Sequence, residues 1–84
     1  MKIALDYDGT YTANRYLWDK FADVCQYHEV ELFIVTMRYP HEEITADLPI
    51  IYTSRKAKKI YCEEKGIYFD IWIDDNPEWL FKNG

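Results

Sequence analysis

Apolar residues along this chain follow two alternating rhythms. Short β-favouring runs occur at Ile3-Ala4-Leu5, at Leu32-Phe33-Ile34-Val35, at Ile50-Ile51-Tyr52 and at Phe69, Ile71 and Ile73. They predict strands over residues 2–6, 31–36, 49–52 and 68–74. The second run is unbroken by polar residues, as in a strand covered on both faces. Between the runs, Leu17, Trp18, Phe21, Val24 and Cys25 recur at three-and-four spacing. They predict a helix over 14–27 with one buried face, capped by Asn14. A second helix is predicted over about 55–65, with Ser54 as cap and Gly66 as stop. Asn76-Pro77 opens a last helical turn, with proline at its first position, carrying Trp79, Leu80 and Phe81. Residues 37–48, interrupted by Pro40, read as a loop with room for one helical turn.

Strand, helix, strand, loop, strand, helix, strand, helical turn is the order of a parallel sheet flanked by helices. Right-handed crossovers narrow its topology. In such sheets functional groups gather beyond the carboxyl ends of the strands, where strand order reverses. The polar punctuation obeys that rule, since Asp6 and Asp8 end the first strand, Thr36 the second and Asp74-Asp75 the fourth. No repeat, linker or low-complexity stretch divides the 84 residues, so 1–84 is expected to form one domain.

Composition adds three constraints. A hydrophobic fraction of 49% with 18% aromatics is ample for a packed core and argues against disorder. A net charge of −5 argues against non-specific binding of nucleic acid and anionic membranes, and an anionic substrate would need local cations to approach. The apolar runs are too short to span a bilayer, and Met1-Lys2 leads directly into a strand with no signal peptide. Cys25 and Cys62 fit no metal-ligand spacing and fall on helices, so they read as buried free thiols. The chain therefore reads as a soluble, reduced, cytoplasmic protein.

The residues that demand chemistry are Asp6-Tyr7-Asp8-Gly9-Thr10. Burying an ionised carboxylate without a partner costs several kcal/mol or more, on the order of magnitude that normally forbids it. Two such groups two positions apart cost more unless a cation lies between them, so the pattern asks for a divalent metal. Beside it stand Val35-Thr36, a lysine-rich helix start at Lys56, Lys58 and Lys59, and Ile73-Asp74-Asp75.

In that order the four motifs resemble the haloacid dehalogenase (HAD) superfamily of phosphatases. Its motifs are a DxDG(T/V) strand end, a strand ending in Thr or Ser, a lysine, and an acidic strand end. The resemblance spans residues 2–77. It implies a HAD-like Rossmannoid three-layer α/β fold with a minimal four-stranded parallel sheet. It also implies a Mg²⁺-dependent phosphatase acting on a phosphorylated substrate. Asp6 would be the nucleophile that forms an aspartyl-phosphate. Asp8 would be general acid to the leaving oxygen and then general base to water. Thr36 would bond a phosphoryl oxygen, with Met37 and Gly9 as further phosphate-binding positions. Lys58, or next to it Lys56, would neutralise nucleophile and phosphate together. Mg²⁺ would be held by Asp6, the Asp8 carbonyl and Asp74, with Asp75 nearby.

Members of this superfamily usually carry a cap. Only Tyr11, Thr12 and Ala13 separate Thr10 from the first helix cap, and residues 37–48 are too few for one. A capless, open site is expected, closed by a large substrate or by a neighbouring subunit of a homo-oligomer, or left open with slow turnover. A non-catalytic module that keeps the metal and phosphate site is the rival reading. A receiver-type phosphoacceptor is disfavoured, since the middle strands end in Thr36 and Thr53 and not in Asp. Arg38 is placed equally well on the surface or on an anionic group of the substrate. His28 and His41 read as solvated, Trp18, Trp72 and Trp79 as core, and Tyr7, Tyr11 and Tyr39 either as rings around the cleft or as ordinary partly buried surface.

Overall fold

The computed structural model describes all residues, Met1–Gly84. Four strands form one sheet: β1 (Lys2–Leu5), β2 (Glu31–Thr36), β3 (Ile50–Tyr52) and β4 (Ile71–Ile73). Their order across the sheet is β3-β2-β1-β4, and every pair is parallel. Helix α1 (Arg15–Tyr27) links β1 to β2 and helix α2 (Lys58–Glu64) links β3 to β4. A 3-10 turn, Pro77–Leu80, follows β4 with its proline in the first turn.

Alternation along the central strands builds the layers. Ile3, Leu5, Leu32 and Ile34 face one side, where they pack with Cys25 of α1 and with Trp18, Phe21 and Ala22. Ala4 and Val35 face the other side and pack with Cys62 of α2, together with Tyr61, Phe69 and Trp72. The result is a three-layer α/β arrangement with an all-parallel sheet, compatible with a Rossmann-like fold. Both cysteines are free and buried. No helix is long and apolar enough to cross a membrane.

Asn14 caps α1 through Oδ1, which accepts the Leu17 N–H at 3.1 Å. The buried face of α1 is narrower than its periodicity predicts. Leu17 and Val24 are 51% and 54% exposed, while Trp18, Phe21, Ala22 and Cys25 pack against the sheet. The second helix starts later than expected. Ser54 and Arg55 sit at φ +52° and +68°, a left-handed conformation that costs a side-chain-bearing residue about 1–2 kcal/mol. Ser54 therefore does not cap. Asn83 takes that part from the far end of the chain, its Oδ1 accepting the Ala57 N–H at 2.8 Å. Gly66, at φ +76°, stops α2 as expected. The fourth strand is shorter than the run that predicts it. Phe69 leaves the ladder to pack edge-on against Phe33 and Trp72.

The chain steps from β1 to β2 to β3 in one direction, then crosses back to place β4 on the other side of β1. The reversal leaves a crevice beyond the carboxyl ends of β1 and β4. Residues just past those ends, Asp6, Asp74 and Asp75, line that crevice.

Candidate functional site

A cleft of about 230 Å³ opens there, lined by Asp6, Asp8, Thr36, Met37, Arg38, Arg55, Lys58, Asp74, Asp75, Asn76 and Trp79. Larger hollows exist elsewhere on the surface, but none gathers these groups.

Asp6 is the first residue past β1, and its backbone N–H still bonds the Ile73 carbonyl at 2.9 Å, which ties the two acidic strand ends together. From Tyr7 to Tyr11 the chain forms a tight coil, closed by bonds from Tyr11 N–H to the Asp6 carbonyl and from Thr12 N–H to the Tyr7 carbonyl. Gly9 makes this coil workable. Its φ is +85°, and a Cβ there would lie 2.5 Å from Asp75 Oδ2. Gly9 thus opens room for Asp75. Its own N–H is taken by Thr12 Oγ1 at 3.0 Å, so it is not available to a phosphate as expected. Tyr7 and Tyr11 are buried and stacked against each other 5.8 Å apart, and so belong to the core under the site and not to its rim.

The centre is a cation among carboxylates. Lys58 Nζ donates to Asp6 Oδ1 at 2.5 Å and to Asp74 Oδ2 at 2.7 Å, and Lys58 is only 3% exposed. It stands at the first turn of α2, directly under the ends of β1 and β4. Lys56, two positions earlier, is exposed and borders a different hollow, so the structure leaves it outside the cleft. Lys59 is tied along the helix to Glu63. The Thr10 hydroxyl lies between Asp6 Oδ2, at 2.9 Å, and Asp75 Oδ1, at 3.2 Å. Thr10 closes the Asp6-Tyr7-Asp8-Gly9-Thr10 motif, which assigns it no role of its own.

Three carboxylates, from Asp6, Asp74 and Asp75, bring oxygens within 4.8 Å of one another. Burial pushes the Asp6 carboxyl up to about 6, against the opposing pull of Lys58, and its hydrogen bond with Asp75 adds to the rise. The same bond, with that from Thr10, holds Asp75 below the ordinary carboxylate range. One ammonium cannot neutralise three converging carboxylates, so the cluster keeps a net negative charge. That donor set, all hard oxygen, suits a divalent cation.

Asp8 stands apart. Both of its oxygens are held by Arg38, from Nη2 at 2.7 Å and Nε at 2.9 Å, and this pairing lowers its pKa below the usual value. The Asp8 side chain is therefore not part of the carboxylate cluster. Arg38, open to two readings in the sequence, lines the cleft and crosses the Tyr7 ring at 5.3 Å. Thr36, at the end of β2, is buried; its Oγ1 accepts the Arg38 N–H at 3.2 Å, and no protein acceptor takes its hydroxyl proton. The neighbouring Met37 N–H meets no acceptor in the protein either. Trp79, expected in the core, instead forms a wall of the cleft, with Lys82 over its ring at 5.0 Å. His28 and His41 are exposed and lie outside the cleft.

The arrangement can bind a cation and, beside it, an anion reached by Lys58, the Thr36 hydroxyl and the Met37 N–H. Comparison of the chain with protein-family models, with curated proteins and with solved structures finds no match, so the functional reading rests on these residues.

Proposed function

We propose that the chain is a Mg²⁺-dependent phosphomonoesterase of the HAD type, with Asp6 as its nucleophile. The observation that carries the reading is the buried Lys58 ammonium bridging Asp6 and Asp74, with Asp75 alongside, at the crevice where strand order reverses. Asp6, Asp74 and Asp75 would hold Mg²⁺, which supplies positive charge against the phosphoryl oxygens and screens them from the nucleophile.

In the first step an Asp6 carboxylate oxygen attacks phosphorus. The bond from phosphorus to the leaving oxygen breaks, its electron pair stays on that oxygen, and Asp8 supplies the proton. Lys58 holds Asp6 in place and balances its charge, while the Thr36 hydroxyl and Met37 N–H donate to the equatorial oxygens. In the second step Asp8 removes a proton from water, the water oxygen attacks phosphorus, and the bond to Asp6 breaks. Phosphate leaves and the carboxylate is regenerated.

One observation favours a second reading. The double grip of Arg38 on Asp8 must open before Asp8 can carry a proton, and a chain that never opens it would bind phosphate without turning it over. Hydrolysis of an aryl phosphate with and without Mg²⁺, by wild type and Asp6→Asn, separates the two. The enzyme reading expects Mg²⁺-dependent release of the phenol and a loss on the order of 10⁴ in the variant. Equal rates for the two proteins across a panel of phosphates, with phosphate still bound, would leave only the binding module.

A further inference from the structure

Two arginines face the same cleft from adjacent segments, and the proposed hydrolysis uses neither as a reacting group. Arg38 follows β2, and Arg55 lies between β3 and α2. Their backbones are stitched together, with Ser54 N–H on the Arg38 carbonyl at 3.3 Å and Arg55 N–H on the Met37 carbonyl at 2.8 Å. Arg55 reaches this position only because Ser54 and Arg55 both adopt left-handed backbone. Strain of that kind persists where the surroundings over-determine it, and it concentrates at binding sites. Here it serves to set a second guanidinium beside the first.

A guanidinium has five N–H donors. Arg38 spends three, on the two oxygens of Asp8 and on the Glu43 carbonyl. Arg55 spends two, on the Met37 carbonyl at 2.8 Å and on Glu42 at 3.1 Å. Both therefore keep N–H groups for a ligand. Each is also braced on an aromatic ring, Arg38 on Tyr7 and Arg55 on Tyr39. Lys58, deep in the cleft, already serves the reacting phosphoryl group, so a pair of arginines at the mouth is more than one phosphate needs.

Resting on the phosphatase reading above, we propose that Arg38 and Arg55 form a second anion subsite. The substrate is then a small phosphomonoester carrying a second anionic group, phosphate or carboxylate. Arg38 and Arg55 line the same cleft as Asp6 and Lys58, so a short spacer joins the two anions.

The test is binding of non-hydrolysable phosphonates by calorimetry at fixed ionic strength with Mg²⁺. The probes are propylphosphonate, its ω-carboxylate analogue and its ω-phosphonate analogue. At least one doubly anionic probe should bind about tenfold more tightly than propylphosphonate, and which one does names the second group. Arg55→Ala should bring that ratio close to one, and Arg55→Lys should retain part of it, with circular dichroism confirming that both variants fold. Equal affinities for all three probes in the wild type would overturn the subsite while leaving the phosphatase reading intact. A ratio unchanged in Arg55→Ala and in Arg38→Ala would overturn it too. A clear preference without turnover of the matching phosphate esters would support the subsite and count against hydrolysis.

Discussion

Asp6 is the residue on which burial, charge and position converge. Its carboxyl titrates near 6 in the folded chain against about 4 in the unfolded one, because burial disfavours the charge more than Lys58 restores it. A carboxyl raised by folding stabilises the fold below its unfolded pKa, and that contribution is lost as pH rises through the folded value. In chelator, the stability of wild type relative to Asp6→Asn should fall by on the order of 3 kcal/mol between about pH 4 and pH 6, then level off. Urea unfolding of both proteins across that range checks it. Saturating Mg²⁺ should flatten the slope by binding the folded state. Gly9 yields a separate prediction. Gly9→Ala adds a Cβ within 2.5 Å of Asp75 at a backbone angle that disfavours it, so the variant should lose about 1–3 kcal/mol in urea unfolding. It should also bind Mg²⁺ more weakly than wild type. At this scale the sequence marked Asp6, Asp74 and Asp75 as acidic strand ends, and the structure brings them together. The sequence did not show which lysine joins them, nor that Asp8 pairs with Arg38, because both depend on how three separate strand ends meet.

The elements were legible where periodicity is long and illegible where it is short. Thirteen residues of α1 carry enough apolar positions to define a face, although the pattern overstates its width at Leu17 and Val24. Ser54 has the chemistry of a cap for α2 and lacks the backbone for one. Its function passed to Asn83, which no local pattern connects with Ala57. Asn83→Ala should therefore cost about 1 kcal/mol in thermal or urea unfolding, the usual value of a lost cap. Ser54→Ala should change stability by less than about 0.5 kcal/mol. The opposite ranking would show that α2 begins at Ser54 after all. Strand β4 is shorter than its apolar run predicts for a related reason. Phe69 has strand character, but its ring gains more by packing on Phe33 and Trp72 than by staying in the ladder.

Across the whole molecule, the parallel sheet and its reversal at β1 bring residues 6, 36, 58, 74 and 75 to one edge, although they span most of the chain. That gathering is what alternation of strand and helix predicted, since the positions of polar residues at strand ends already marked the edge. The cleft itself was less legible, because Arg55 and Trp79 reach it through backbone that no repeating pattern describes. A net charge of −5 surrounds a cleft whose own cations are Lys58, Arg38 and Arg55, to which the proposed Mg²⁺ would add. Phosphate affinity should consequently depend on Mg²⁺ far more than on ionic strength. The most direct test of Asp6 as nucleophile uses Asp8→Asn with an aryl phosphate whose leaving group departs without a proton. Formation of the covalent intermediate then needs no acid, but its hydrolysis lacks a base, so the phosphoryl group should accumulate. Mass spectrometry after an acid quench should find one phosphoryl group on the peptide containing Asp6, and none in Asp6→Asn. Release of the phenol with no phosphorylated peptide, or with the phosphoryl group on another residue, would contradict the proposed mechanism.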